Sequence, residues 1–403
     1  MFPLTFTSVL ESNRIWLSIN FRLIALEDRL LGFNNRIGDN KKHLKATVEW
    51  LKRAQDATGN GGVSAGYFKY VGWETAYSET TGYIIPTMFD YYYFAHDKDS
   101  RKRAIEMSDF LIDVQLNNGS FAIRPVGPNR SRRQKSGFVG TPLDPEVFDT
   151  GQCMQGLVRC YKETKQSEYL TSAVKAGDWL VTVQDEDGAW RKHSFHGMPH
   201  TFYTRVALAL LELYALTGDK KHEEAAVKNI EWASTKCNEK GWYHNCIPDP
   251  KSMSYPITHF IGYTAEGILE AGILLKNDNF IRTATRTMNS LLSKFETDGW
   301  VSATYDENWE GQDNYSCLTG DAQIASLWLR LFELTHKQAY YDGAVKLNNY
   351  IKSTQHLHHL CKGIKGGVKG SQPIYGKYDP YSYINWAAKF FVDSLLRQEN
   401  LRN

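Results

Sequence analysis

Residues 175–190 read KAGDWLVTVQDEDGAW, and the spacing inside this stretch decides the fold. Trp179 stands five residues before Gln184, and Gly188-Ala-Trp190 follows four residues after it. The same spacing recurs at Phe110, Gln115, Gly119 and Phe121. It recurs again at Trp50 and Gln55, followed by Gly59, Gly61 and Gly62, and at Tyr350 and Gln355, followed by Gly366 and Gly367. Two copies lack the glutamine: Trp232 with Gly241-Trp242, where Cys237 replaces it, and Leu291 with Gly299-Trp300. Six anchors at intervals long enough for two helices and two loops each are the signature of a repeat architecture.

Each interval carries a second helical pattern. The clearest is Val206–Leu216, VALALLELYAL, apolar nearly all round and therefore buried on every side. Its counterparts are Ile84–Phe94, Cys153–Tyr161, Ala265–Leu275, Ile324–Leu334 and Trp386–Leu396. Six inner helices and six outer ones predict an all-α (α/α)6 toroid over residues 41–403. A ring of repeats is one domain whatever its length. Residues 1–40 precede the first unit and are predicted to form an extra helix packed on the outside, with Leu23, Leu26 and Leu30 as its apolar stripe.

Loop lengths orient the ring. Inner helices pass to outer ones through short polar turns such as His96–Asp99 and Thr217–Lys220, whereas outer helices return through long Gly- and Trp-rich loops such as Asp187–Met198 and Gly241–Tyr255. Long loops concentrate binding and catalytic groups. They all fall on the rim where the inner helices begin, which also presents free N–H groups and the positive dipole ends.

Polar residues at those helix starts are the candidate catalytic groups: Glu79 (ETTGY), Asp149 (FDTGQ), His200 (PHTFYTR), His259 (THFIGY) and Asp321 (YSCLTGD). Candidate saccharide-binding groups are Trp73, Tyr77, Tyr203, Arg205, Trp242, Trp309, Tyr315, Tyr383 and Asn385. Hydrolysis of a glycoside needs two carboxylates. Epimerisation or elimination at a uronic acid needs an acid, a base and a cation for the carboxylate. The rim offers residues for both. Capping is the competing role for Asp149 and Asp321, and a satisfied core position is the competing role for each histidine. Arg124, Arg130, Arg132, Arg133 and Lys135 form a basic loop, either simply solvated or a clamp for an acidic substrate.

Composition narrows the partners. A net charge of +2 points to no nucleic acid. No stretch reaches 18 apolar residues, so no transmembrane span is expected. Residues 1–20 lack the form of a signal peptide, and none of the six cysteines makes a CxxC pair. A cytoplasmic protein with reduced thiols is expected. The GxxxxGK[ST], HExxH and GxSxG patterns are missing, so no cofactor and no metal is expected.

The unit at Trp179–Trp190 resembles the QW repeat of squalene and oxidosqualene cyclases, whose relatives include protein prenyltransferases. That resemblance implies a stabilising role for Gln184, Gly188 and Trp190. The cyclase DxDD motif is missing, which puts terpene chemistry in doubt. A second resemblance rests on WLKRAQDATGNGGVSAGY, ETTGYIIPT, PHTFYTRVALALLELY, YSCLTGDAQIA and INWAAKFF. These segments are similar to bacterial exopolysaccharide and capsule biosynthesis proteins of the VpsJ type. This implies a saccharide or glycoconjugate substrate, a role in surface-polysaccharide assembly, and association with other assembly proteins. Three functions stay open: an epimerase, lyase or hydrolase acting on sugar; a terpenoid or prenyl cyclase; and a non-catalytic sugar-binding subunit.

Overall fold

The computed structural model describes residues 14–30, 37–123, 125–126 and 144–402. Thirteen α-helices of these residues carry the architecture. Helix α1 (Arg14–Leu30) precedes the ring. The outer helices are α2 (Asn40–Asp56), α4 (Lys98–Val114), α6 (Ser167–Thr182), α8 (Lys220–Ser234), α10 (Asp278–Asp298) and α12 (Gln338–Thr354). The inner helices are α3 (Ser78–Ala95), α5 (Val147–Thr164), α7 (Thr204–Thr217), α9 (Thr258–Leu274), α11 (Leu318–Thr335) and α13 (Asn385–Asn400). Each inner helix packs on the next, and α13 closes the circle against α2 and α3. The predicted (α/α)6 toroid and all six predicted inner segments are therefore observed.

The repeated glutamine ties neighbouring units together. Gln184 Nε2 donates to the Gly188 carbonyl of its own loop (3.0 Å) and to the Ala225 carbonyl of the next outer helix, α8 (2.8 Å). Gln115 does the same to Gly119 and to Ser172 on α6. Gln55 reaches Gly61 and Arg103 on α4. Gln355 closes the ring: it donates to Gly366 (2.7 Å) and to Thr47 Oγ1 on α2 (2.8 Å), while its Oε1 meets His43 Nδ1 (2.6 Å). One amide thus bonds its own loop and the next outer helix at once, joining neighbouring units. Where Cys237 replaces the glutamine, Arg286 and Thr287 of α10 bond the carbonyls of Asn238 and Gly241 instead. Gln184→Ala removes two inter-element hydrogen bonds, although the Gly188 carbonyl keeps its bond from Asn229 (2.9 Å), and is expected to cost about 1–3 kcal/mol, read from chemical denaturation.

The inner-to-outer turns open on a left-handed residue: His96, Lys165, Gly218, Lys276 or His336. Asp97, Asp219 and Asn277 then cap the following outer helices. The outer-to-inner loops carry short antiparallel strands, the largest set joining Gly66–Phe68 to Gly72–Trp73 and to Ser382–Ile384.

Helix α1 packs outside the ring as expected, but by the face opposite to the predicted one. Leu17, Phe21 and Ile24 are buried, with Phe21 against Tyr67 and Tyr383, whereas Leu23, Leu26 and Leu30 are exposed. Spacings of three and four fit two stripes on this helix. The buried one is selected by Asp28, which lies on it and pairs with buried Lys369 (2.7 Å) while accepting from the Ile374 amide (2.8 Å). Two partners for one carboxylate offset its desolvation.

Candidate active site

The reactive groups gather where α3 and α5 meet. Glycine lets these helices approach closely: a Cβ on Gly82 would sit 2.5 Å from the Gln152 carbonyl, and one on Gly156 would sit 2.4 Å from the Gly82 carbonyl. That contact brings Glu79, at the start of α3, towards Glu146 and Asp149 at the start of α5. Glu146 is the N-cap of α5. Its Oε2 accepts from the Asp149 amide (2.6 Å) and its Oε1 from the Tyr203 hydroxyl (2.8 Å). Tyr203 in turn accepts from the Phe195 amide (2.9 Å), which fixes its hydroxyl. The Asp149 side chain also lies within hydrogen-bonding reach of Glu146. Two carboxyls can bond each other only if one carries a proton.

Burial pushes the Glu146 carboxyl up to about 7, against the pull of its bonds from Asp149 and Tyr203, and the Glu79 charge adds to the rise. Burial raises Tyr83, Cys153 and Tyr263 well above their ordinary values, and the Glu79 charge adds to each, so it is felt on α3, α5 and α9. A buried carboxyl raised towards neutrality, with other carboxyls acting on it, is an arrangement suited to acid–base chemistry.

His259 occupies the next sector. Its Nδ1 meets Gln323 Oε1 of α11 (2.9 Å), and its ring lies 4.3 Å from Tyr263 and 5.8 Å from Tyr378. Below these aromatics Arg205 spans the ring. It pairs with Glu266, donates to Gln152 (3.1 Å) and Gln155 (3.0 Å), and lies over the rings of Tyr263 and Phe390. Its fork is committed to Glu266, Gln152 and Gln155. It also lines a cavity of about 690 Å³ that runs towards the ends of the inner helices. The charges there pair among themselves: Arg159 with Asp90 and Glu163, and Arg330 with Glu270.

The other rim residues do not join the cluster. His200 is packed between Phe195, Phe202 and Tyr203, and its Nε2 meets the Phe195 carbonyl (2.9 Å). Burial pushes it down to about 4, so it stays neutral. Replacing His200 with Gln is expected to leave the shape of the pH–rate profile between about pH 6 and 9 unchanged, because a residue that stays neutral there contributes no titration. Asp321 is fully buried among Cys317, Tyr305 and Tyr350, and Tyr350 belongs to outer helix α12. Burial raises its carboxyl well above the usual range. Tyr383 lies under α1 beside Phe21, because strand alternation turns it outward.

Trp73 packs on Trp50 and Tyr67. Trp242 and Trp309 donate to the carbonyls of Tyr305 and Lys240 and join two loops. Tyr315 sits in a small cluster with Ile257, Ala303 and Cys317. Asn385 ties α13 to the Ser64 carbonyl and to Thr80. Tyr77 starts α3 and is buried beside Tyr83. The basic stretch from Arg124 to Lys135 lies outside the described residues. Glu146, Gln152, Tyr263 and Gln323 escaped sequence reasoning. Only Glu146 left a signal there: an acid three residues before Asp149 at a helix start. Among the described residues no group of three His, Cys, Asp or Glu side chains is arranged to hold a metal ion.

The family profile described as "Beta-L-arabinofuranosidase, GH127 catalytic domain" matches residues 33–356, well over half of the chain. The chain belongs to this GH127 family. It is thus a carbohydrate-processing enzyme. Solved structures that resemble it include the unsaturated glucuronyl hydrolase from Bacillus sp. GL1, at 15% identity and a TM-score of 0.68, covering 90% of this chain and 97% of that one. Cellobiose 2-epimerase from Bacillus thermoamylovorans B4167 gives 13% identity and a TM-score of 0.68 over 87% of this chain and 97% of that one. A polysaccharide lyase gives 11% identity and a TM-score of 0.62 over 91% and 99%. These likenesses concern the toroid. Squalene–hopene cyclase from Zymomonas mobilis subsp. mobilis is 25% identical over 243 residues, 57% of this chain and 34% of the cyclase. The chain spans about a third of that cyclase's length.

Proposed function

We propose that this GH127 member hydrolyses a glycosidic bond with the carboxyls at the α3–α5 contact. The observation that carries the reading is Glu146, buried at the start of α5 and bonded to the Tyr203 hydroxyl and the Asp149 amide, whose carboxyl burial raises to about 7 and which can therefore carry a proton near neutrality. Glu146 gives that proton to the glycosidic oxygen as the bond to the anomeric carbon breaks. Glu79 attacks the anomeric carbon or activates the water that does. Water supplies a hydroxyl to the sugar and returns a proton to Glu146, so the enzyme ends as it began. The physiological setting we propose is cytoplasmic assembly of a surface polysaccharide. It is supported by the similarity of the quoted segments to exopolysaccharide and capsule proteins, and association with other assembly proteins belongs to the same proposal. A second reading, epimerisation or elimination, is favoured by one observation: His259 lies against Tyr263, and a histidine–tyrosine pair can move a proton at a sugar carbon.

The test is turnover of a small panel by the purified chain: an aryl β-L-arabinofuranoside, an unsaturated glucuronyl oligosaccharide and cellobiose. The reactions run in oxygen-isotope-labelled water with products read by mass. Hydrolysis puts the label into the released sugar. A product of unchanged mass moves the assignment to His259. Binding without turnover replaces the enzyme reading with that of a binding subunit.

A further inference from the structure

We propose that the outer face of α1 docks the enzyme on an anionic lipid surface. The helix has two apolar faces on opposite sides. One, Leu17, Phe21 and Ile24, is buried against the toroid. The other, Ile19, Leu23, Leu26 and Leu30, is 43%, 60%, 51% and 69% exposed. At 3.6 residues per turn these four leave the helix in one narrow stripe, about 16 Å long at 1.5 Å per residue. An apolar stripe that long on a soluble ring needs a cover.

Charge selects the cover. Arg22 and Arg29 are exposed and fall on the same flank of the stripe. The two acids of the helix do not balance them. Asp28 is committed on the buried face to Lys369, Gln372 and the Ile374 amide. Glu27, half-buried on the other flank, is raised by burial, with Lys369 pulling the other way. Among the described residues, a second copy of this face would bring no exposed acid to meet the arginines. An anionic headgroup layer meets both needs, taking the stripe into the acyl boundary and the guanidinium groups at the phosphates. No helix of the described residues is long and apolar enough to cross a membrane, so the contact is interfacial.

The experiment is cosedimentation of the full chain with vesicles of phosphatidylcholine alone or with about a third phosphatidylglycerol. Binding is expected to the anionic vesicles only and to weaken with salt, because screening shortens the reach of the arginines. Leu23→Ser with Leu26→Ser is expected to lower the partition coefficient at least about tenfold. Arg22→Gln with Arg29→Gln is expected to lower it about tenfold on anionic vesicles. All four positions are exposed, so a circular-dichroism melt should be unchanged in both double variants. No binding, or binding untouched by the leucine changes, overturns the proposal. So does a concentration-dependent dimer that disappears in the leucine variant, which makes a second copy the cover.

Discussion

Glu146→Gln and Asp149→Asn are each expected to lower kcat by about a thousandfold, with the fold intact. Acid–base groups contribute about 10²–10⁴ each, and here the two act as one unit. The double variant is therefore expected to be little slower than either single one, the mark of residues that share a function. The pH dependence follows from burial. The pair supplies the proton while Glu146 is protonated, and Glu146 loses it near 7. The wild-type rate should fall as pH rises through about 7. Stability carries the same sign. A carboxyl whose folded value lies above its unfolded value supports the fold fully at low pH and loses that support as pH rises through the folded value. The window here runs from the ordinary carboxylate range to about 7. Glu146→Gln should remove this pH dependence of the unfolding midpoint. If the variant keeps both its rate and the wild-type pH profile, the proton belongs elsewhere. Glu79→Gln then separates the two sugar chemistries: loss of turnover supports the carboxyl reading, whereas full activity with loss in His259→Gln supports the histidine.

The fold was legible because it repeats. Six copies of one pattern reinforce a register that a single copy could not set, and in the four units that keep the glutamine its amide bonds both its own loop and the next outer helix. The site was legible only in part, because a helix start exposes several positions and periodicity does not say which one turns inward. The Glu79 charge is felt at Tyr263 of inner helix α9. Asp321 begins α11 in a similar position, yet its charge is felt at Tyr350 of outer helix α12. His200 and His259 look alike in sequence, but a wall of phenylalanines holds one and Gln323 meets the other. Glu146 was missed because it caps α5 as well as pairing with Asp149, and a capping acid attracts no attention by residue type. The two stripes of α1 show the same limit. Spacing found the exposed one, while the choice of the buried one depended on Lys369, more than three hundred residues away.

Trp190→Ala links the repeat to the site, and its expected cost is about 3–5 kcal/mol, the usual range for deleting a buried aromatic. Trp190 is fully buried, and its Nε1 donates to the Leu180 carbonyl (2.9 Å), closing the loop that Gln184 anchors. Deletion leaves both a cavity and an unpaired carbonyl at the end of α6. Urea denaturation should show a lower midpoint at unchanged m, the sign of lost stability without a change in the surface exposed. An unchanged midpoint would remove the structural role from the whole repeat. A second consequence concerns catalysis. The Trp190 ring meets the edge of Tyr203 at 6.4 Å, and Tyr203 holds Glu146. Where the variant is still folded, at low temperature and without denaturant, a slackened Tyr203 should lower kcat and shift the apparent pKa of the pH–rate profile, with KM little changed. Loss of Tyr203's bond removes a stabiliser of the ionised carboxylate, so the shift is expected upward. Gln184→Ala, which loosens the same loop without touching Tyr203, should lower the midpoint and leave that pKa in place. A parallel shift in both variants would mean that the loop acts on the site only through general loosening, and that the tryptophan has no separate hold on the carboxyl pair.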